Sequence, residues 1–375
     1  MADASPLTFN VVFVPGTVRE LRIFMPSLAA WGGDCQFRLV SNGCSPAEDE
    51  LLQQVVKLSP RFEFYRLPGP HTWRHGAALS HLQRRETGPR FAFLDSDIFA
   101  TGDFLRDLNA QAGEVDALFS CPPVWSNDRL EMLPRGFKCA GGENRQMEDG
   151  FCLGGTYFAI YDNRILTDCM ADYDIDLRYY RWKDIPPAVR ERLRAEGREM
   201  MSYDTAKLVN ILLNLDGHSC RFLTTRHLHH VGGISGITLC ETKYLYTRLL
   251  RRCSELVPDV VWRIATWAGI HNGWRVRLTS DEKRHLFATS DRRRSACEFV
   301  NRLLCTLSNG ETQNVLFAST DTDLDAQMRR MEILIRNLYP TWRAWLDGRE
   351  PIVARRSAST NLAAWPTKSG DAAAA

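Results

Sequence analysis

An apolar run ends in two aspartates in Phe-Ala-Phe-Leu-Asp-Ser-Asp, residues 91–97. A turn at the end of a strand lets both carboxylates, Asp95 and Asp97, hold one hard divalent cation, Mg²⁺ or Mn²⁺. Such a cation keeps positions open for phosphate oxygens and neutralises a departing diphosphate. A bare Asp-x-Asp is also what an Asx turn or a capping aspartate leaves in a sequence. The apolar approach decides between the two readings, because a core strand has little structural use for two neighbouring charges. Further on, Arg-His-Leu-His-His-Val-Gly-Gly-Ile-Ser (226–235) sets His227, His229 and His230 before a glycine pair. A neutral imidazole can complete a metal shell begun by carboxylates. One of the three at most is expected to do so, the others being satisfied structural residues. Gly232 and Gly233 would let the backbone approach a phosphate closely. In Ser-Tyr-Asp-Thr-Ala-Lys-Leu (202–208), Asp204 either caps the following helix or faces the site and takes a proton from an acceptor hydroxyl. Glu148 and Asp149 form a weaker pair in a polar stretch.

The elements that must position these residues alternate. Phe9–Val14 reads as a buried strand, followed by a helix from Thr17 to Trp31 that Pro26 should interrupt. Phe37–Gly43, Phe62–Pro68, Phe91–Asp97 and Val115–Cys121 read as further strands, with helical spacing between them. Near-continuously apolar strands separated by helices imply mostly parallel pairing with both sheet faces covered. Ligands of such sheets bind beyond the carboxyl ends of the strands, and Asp95 and Asp97 occur at such an end. Pro122–Phe151 is long, polar and glycine-containing, as expected of a loop or lid. Leu153–Tyr161 is strand-like, and the helix after Asp204 has Leu208, Ile211, Leu212 and Leu215 on its apolar face. Beyond about Cys240 the pattern is mainly helical. The expected organisation is an α/β domain over 1–240, a helical part over 241–350 and a small, polar, disordered tail over 351–375.

The chain has 375 residues, which suggests about two domains. Its formal net charge of +2 demands no nucleic acid, and the Arg292–Arg293–Arg294 run reads as a solvated helix face. Eleven cysteines without a Cys-x-x-Cys pair suit reduced core thiols. The start carries no basic-then-apolar leader and no stretch is long and apolar enough for a transmembrane segment, so the expected location is cytoplasmic, with peripheral membrane contact allowed. The P-loop, GxSxG and HExxH patterns are absent.

The order of these parts resembles the nucleotide-sugar glycosyltransferases of the GT-A fold, most like family 2, over roughly Phe9 to Ser235. That resemblance implies a Rossmann-like, mostly parallel sheet with flanking helices, and a donor site shared among several segments. Asp95, Ser96 and Asp97 match the Asp-x-Asp that meets the metal and the sugar-nucleotide. Val14, Gly16 and Thr17, with Asn42 after the second strand, match the strand ends that receive the nucleoside. Gly154, Gly155 and Thr156 match the segment lining the donor sugar, His230 the late metal-binding histidine, and Asp204 the aspartate that serves inverting members as base. Tyr203 stands where the family has Glu, and Asn42 where it has Asp.

The implied activity is metal-dependent transfer of a sugar from a nucleoside-diphosphate-sugar donor to a hydroxyl of a glycan, a lipid-linked or a small-molecule acceptor. Two enzyme rivals use the same aspartates. A nucleotidyltransferase would hold its metal at a similar sheet, and a HAD-type phosphatase would add Gly102-Asp103 and Asp107. A non-catalytic sugar-binding protein on the same frame is the rival from outside enzymology.

Overall fold

The computed structural model describes residues 6–112, 114–126, 151–152, 157–199, 202–236, 260, 264, 280–311 and 315–353. Seven strands form the central sheet: β1 Thr8–Phe13, β2 Gln36–Ser41, β3 Phe62–Arg66, β4 Arg90–Asp95, β6 Ala117–Ser120, β7 Phe158–Asp162 and β10 Cys220–Phe222. Their order across the sheet is β10-β6-β7-β4-β1-β2-β3. β1 pairs in parallel with β2 and β4, β2 with β3, and β6 with β10. β7 runs antiparallel between β4 and β6, so the sheet is mostly parallel. Two short strands outside it, β8 Tyr180–Arg181 and β9 Ser202–Tyr203, pair antiparallel with each other.

The apolar run of β4 is explained by two covered faces. Phe91 and Phe93 point into one buried cluster, Ala92 and Leu94 into the other. The period of two along a strand assigns alternate residues to opposite layers, so a strand with no solvent face needs no polar alternation. The Phe91 and Phe93 cluster is closed by α4 His75–Gln83, α6 Asn163–Asp172, α7 Pro187–Ala195 and α8 Lys207–Leu215. The other is closed by α1 Val18–Leu21, α2 Met25–Trp31, α3 Pro46–Val56 and α5 Phe104–Ala112, and by two long helices, α9 Ser280–Ser308 and α10 Thr322–Leu346. The expected helix from Thr17 to Trp31 is broken into α1, a 3₁₀ turn Arg22–Phe24 and α2, with Pro26 in the first turn of α2, where its missing N–H costs nothing. α3 starts at a Ser45/Glu48 capping box.

The helical part shares its core with the sheet domain. Trp342 of α10 packs edge-on to Phe24, with ring centroids 5.4 Å apart, and 5.0 Å from Phe99. Such aromatic contacts, fully buried at Trp342, join the last long helix to the first α/β unit. Among the described residues no helix is long and apolar enough to cross a membrane. The eight described cysteines are free thiols, seven of them buried.

β1, β2 and β3 are laid outward in order, and the chain then returns to place β4 on the other side of β1. The strand order reverses there, which opens a crevice at the carboxyl ends of β1 and β4. The register puts Asp95 opposite Val12. After Asp95 the chain turns through Ser96 and Asp97 into β5 Ile98–Ala100, which pairs antiparallel with β11 Leu228–His230. His230 lies opposite Ile98 in that pair, so it arrives beside Asp97. Of the expected helical part, residues 241–259, 261–263 and 265–279 lie outside the described residues, as does the tail from 354.

Candidate active site

The crevice is a cavity of about 450 Å³ lined by strand ends and loops, and Asp95, Asp97 and Asp204 all face it. Asp97 and His230 are each 2% exposed. Asp97 Oδ2 accepts hydrogen bonds from Gly233 N at 2.9 Å and Ile234 N at 3.1 Å, while its main-chain oxygen accepts from Val231 N at 3.1 Å. One aspartate therefore anchors the whole loop after β11, which is structural work as well as chemistry.

His230 Nε2 lies 3.2 Å from Asp97 Oδ1 and 3.6 Å from Asp95 Oδ2. Those are ion-pair separations without hydrogen-bond geometry, since the buried Nε2 has no hydrogen-bond partner. Its other nitrogen, Nδ1, is 3.0 Å from the Cys121 carbonyl. A carbonyl can only accept, so Nδ1 carries a hydrogen and neutral His230 presents its lone pair on Nε2. Cys121 holds that carbonyl from a left-handed backbone, φ 64°, a conformation costing about 1–3 kcal/mol for such a residue. Burial pulls the His230 imidazolium down, but the Asp97 charge and the nearby Asp95 outweigh it, pushing its pKa up to about 9. Burial acts to raise the Asp97 carboxyl, yet the His230 charge and the loop N–H groups hold it below the usual range.

One ring nitrogen and two carboxylates offer ligand atoms that all lie within 4.8 Å of one another. Hard oxygen donors with one imidazole suit Mn²⁺ or Mg²⁺ rather than a thiophilic metal. The orphaned, tautomer-fixed Nε2 aimed at Asp95 and Asp97 is what a metal-binding residue requires.

The three histidines separate as the alternation of β11 dictates. His229 points the other way, stacked on Phe99 with centroids 5.1 Å apart and 3.1 Å from Thr101 Oγ1. Burial, then the charge of His227, pulls its pKa down to about 4. His227 lies 3.9 Å from Asp107. Both are structural, and Asp103 and Asp107 are absent from the cavity lining, which removes the Gly102–Asp107 motif from the chemistry.

Asp204 does not cap a helix. α8 begins at Lys207, and its N-cap position is Ala206, in a left-handed conformation with φ 57°. The Asp204 side chain instead accepts from Thr205 N at 2.8 Å through Oδ1, and Oδ2 has no hydrogen-bond partner among the described residues. Ser202, Tyr203 and Ala206 are buried away from the cavity, while Asp204 and the largely buried Thr205 line it. Tyr203 packs in the core, where its hydroxyl donates to the Arg198 carbonyl at 3.0 Å.

Val14, Asn42, Ser96 and Asp97 line the same cavity, whereas Gly16 and Thr17 do not. Gly16 N donates to Glu48 Oε1 at 2.6 Å and Thr17 Oγ1 to the Val14 carbonyl at 2.7 Å, so both shape the turn after β1. Asn42 is fully buried. Its amide nitrogen donates to the Trp73 carbonyl at 2.9 Å, and its oxygen accepts from Trp73 N at 2.7 Å. Each functional atom has a partner on Trp73, so Asn42 braces the Thr72–His75 segment at the cavity wall. Asn42→Ala leaves two main-chain groups of Trp73 unpaired and is expected to lower stability by about 1–3 kcal/mol, read as a lower urea midpoint. An unchanged midpoint would show that the segment is held by something else.

The glycine pair lies on the same cavity. A Cβ on Gly232 would lie 2.8 Å from Trp125 Nε1, and on Gly233 2.7 Å from Arg293 Nη2. Side chains of the protein pack where a Cβ on either glycine would stand. Trp125 Nε1 donates to the Gly232 carbonyl at 2.6 Å. The arginine run on α9 is only partly a solvated face. Arg292 pairs with Asp321 and donates through Nε to the Trp125 carbonyl at 2.9 Å, and Arg293 lines the cavity. Gly154, Gly155, Thr156, Glu148 and Asp149 lie outside the described residues, as do residues 127–150 of the expected loop Pro122–Phe151.

No family model and no curated protein matches the chain. Among solved structures it is similar to S. aureus TarS 1–349, at 15% identity over 88% of this chain and 92% of that one, with a TM-score of 0.36. It is also similar to the glycosyltransferase GlyE of Streptococcus pneumoniae TIGR4, at 13% identity over 58% of this chain and a TM-score of 0.33. The match spans 45% of the length of GlyE. The galactosyltransferase LgtC, solved with donor and acceptor sugar analogues, matches at 12% identity over 53% of this chain and 87% of that one, with a TM-score of 0.30. Likeness this shallow assigns no chemistry, which rests on the cavity itself.

Proposed function

We propose that the protein is a metal-dependent glycosyltransferase of GT-A type, which moves a sugar from a nucleoside-diphosphate-sugar donor to an acceptor hydroxyl with inversion. The convergence of Asp95, Asp97 and His230 at the strand-order reversal, with Asp204 on the same cavity, carries this reading. Asp95, Asp97 and His230 would hold Mn²⁺ or Mg²⁺, and the bound cation supplies charge neutralisation to a diphosphate leaving group.

The remaining work belongs to the chain. The ends of β1 and β2 and the Asn42-braced segment Thr72–His75 receive the nucleoside. Asp204 accepts the proton of the acceptor hydroxyl as that oxygen bonds to the anomeric carbon. The bond from that carbon to the phosphate oxygen breaks with its electron pair on the diphosphate. Tyr157 and Trp125 wall the cavity and limit the water that would compete with the acceptor. Gly154 and Gly155 are assigned to the donor sugar by their place in the chain, and the sugar's acceptor is a glycan, a lipid-linked or a small-molecule hydroxyl compound.

The testing experiment is thermal unfolding with UDP, GDP and dTDP, each with and without Mn²⁺. A ligand at 100 times its dissociation constant stabilises by about 2.7 kcal/mol, so a Mn²⁺-dependent rise in melting temperature with one nucleotide is expected. No rise with any of the three sinks the donor assignment. Turnover with the matching sugar-nucleotide should release the nucleoside diphosphate. Release of pyrophosphate from a nucleoside triphosphate would mark nucleotidyl transfer instead.

A further inference from the structure

We infer that Arg293 of α9 is the cationic contact for the donor's diphosphate, so that the C-terminal helix pair forms part of the donor site; this rests on the glycosyltransferase reading of the cavity. The guanidinium borders the cavity at the loop that Asp97 anchors. A Cβ on Gly233 would lie 2.7 Å from its Nη2 and one on Gly236 2.8 Å from the same atom. Gly233 is also the residue whose N–H reaches Asp97 Oδ2 at 2.9 Å. A single residue of backbone thus separates Arg293 from an aspartate of the metal centre.

Its surroundings point it there. One residue earlier, Arg292 Nε is tied to the Trp125 carbonyl at 2.9 Å. One turn later, Cys297 Sγ donates to the Gly232 carbonyl at 3.1 Å. Positions 293 and 297 share a helix face, so the Cys297 contact places Arg293 over the glycine loop. Ala296, Cys297, Phe299 and Val300 are buried and fix the rotation of α9. Arg292 and Arg294 have acidic partners in Asp321 and Asp291. Arg293 is exposed and has no ion pair or hydrogen bond among the described residues.

A guanidinium that borders a cavity with its donors unspent, close to two carboxylates that would hold a divalent cation, has the chemistry to bind phosphate. Its planar fork matches two phosphate oxygens at once. The cation and Arg293 would then share the charge of the leaving diphosphate between the sheet domain and α9.

The test is calorimetric titration of the full chain with Mn²⁺ and UDP, GDP or dTDP, then with the corresponding monophosphate. Wild type, Arg293→Gln, Arg293→Lys and, as a control on the same helix, Arg302→Gln are compared. Arg293→Gln should weaken diphosphate binding roughly 10- to 100-fold, the scale of a charge-assisted hydrogen bond. The monophosphate should change by less than about threefold, Arg293→Lys should fall between, and Arg302→Gln should match wild type. Unchanged diphosphate binding in both Arg293 variants overturns the assignment. So does an equal loss for the two phosphates, which would mark a diffuse charge effect. Should wild type bind none of the three diphosphates, the donor reading falls first and this inference with it, a result distinct from binding that ignores Arg293.

Discussion

Asp97→Asn is expected to lower sugar transfer on the order of 1000-fold, the equivalent of several kcal/mol of lost charge stabilisation at the leaving group. The substitution removes one negative charge from the Asp95–Asp97–His230 group while retaining an oxygen that can accept from Gly233 and Ile234. Asp97→Ala is the cruder change. It frees the loop and leaves buried His230 without its nearest anion, a loss of about 3–5 kcal/mol of stability. Loss of activity in Asp97→Ala alone would therefore report unfolding as readily as chemistry. Asp95 carries less structural duty, being half-buried and 3.6 Å from Nε2. Asp95→Asn should match Asp97→Asn in lost Mn²⁺-dependent nucleotide binding while unfolding closer to wild type. The measurements are turnover, calorimetric Mn²⁺ affinity and melting temperature for the three variants. Full turnover in Asp97→Asn with Mn²⁺ present would remove the carboxylate pair from the chemistry. The raised pKa of His230, about 9, adds a signature. At pH 7 the imidazole of chelator-treated protein is protonated, so Mn²⁺ binding should release close to one proton, seen as a dependence of the binding heat on buffer ionisation. His230→Gln should abolish that release.

Several parts of this arrangement are legible in the amino-acid sequence. β4 announces itself because an apolar run covered on both faces cannot end in two carboxylates without reason, and the alternation of short apolar runs with helical spacing implies a parallel α/β sheet. Strand direction is less visible. β7 runs antiparallel, and an apolar pattern reads the same in both directions. The choice among His227, His229 and His230 carries a usable signal. Leu228 must face the core, and His230, two residues on, shares its side of the strand while His227 and His229 take the other. The bracing duty of Asn42 is not visible in the sequence, because its partners on Trp73 lie 31 positions away. Asp204 misleads. A helix-start aspartate suggests a cap, and only the left-handed turn at Ala206 sets the helix back by enough residues to release it. Arg293 is invisible for a physical reason. Three consecutive arginines on a helix cover most of its circumference, and which one meets the site is settled by the burial of Ala296, Cys297 and Val300 against the sheet domain.

Asp204→Asn should separate binding from chemistry at this site. Turnover is expected to fall by about 100- to 10,000-fold, the range that a positioned general base contributes. Nucleoside diphosphate affinity should stay within about threefold, or about 0.7 kcal/mol. The prediction follows from how the carboxylate is held. Oδ1 is engaged by Thr205 N at 2.8 Å, an interaction that an amide oxygen preserves. The backbone is fixed on both sides, by buried Tyr203 before it and by Ala206, whose N–H reaches the Leu177 carbonyl at 2.9 Å. An isosteric amide should therefore leave the fold and the direction of the side chain unchanged, while its NH₂ cannot accept a proton from the acceptor hydroxyl. In the proposed reading, donor binding falls to β1, β2, the Thr72–His75 segment and the metal group, none of which the substitution alters. Calorimetry with the nucleoside diphosphate and a single-turnover transfer assay give the two readouts. Near-normal transfer would take the base role from Asp204, and a parallel loss of binding would make it part of the donor pocket. Loss of the chemical step with binding retained would identify the cavity as one in which donor recognition and acceptor activation are carried by different elements, the first by the strand ends of the sheet and the second by the strained turn before α8.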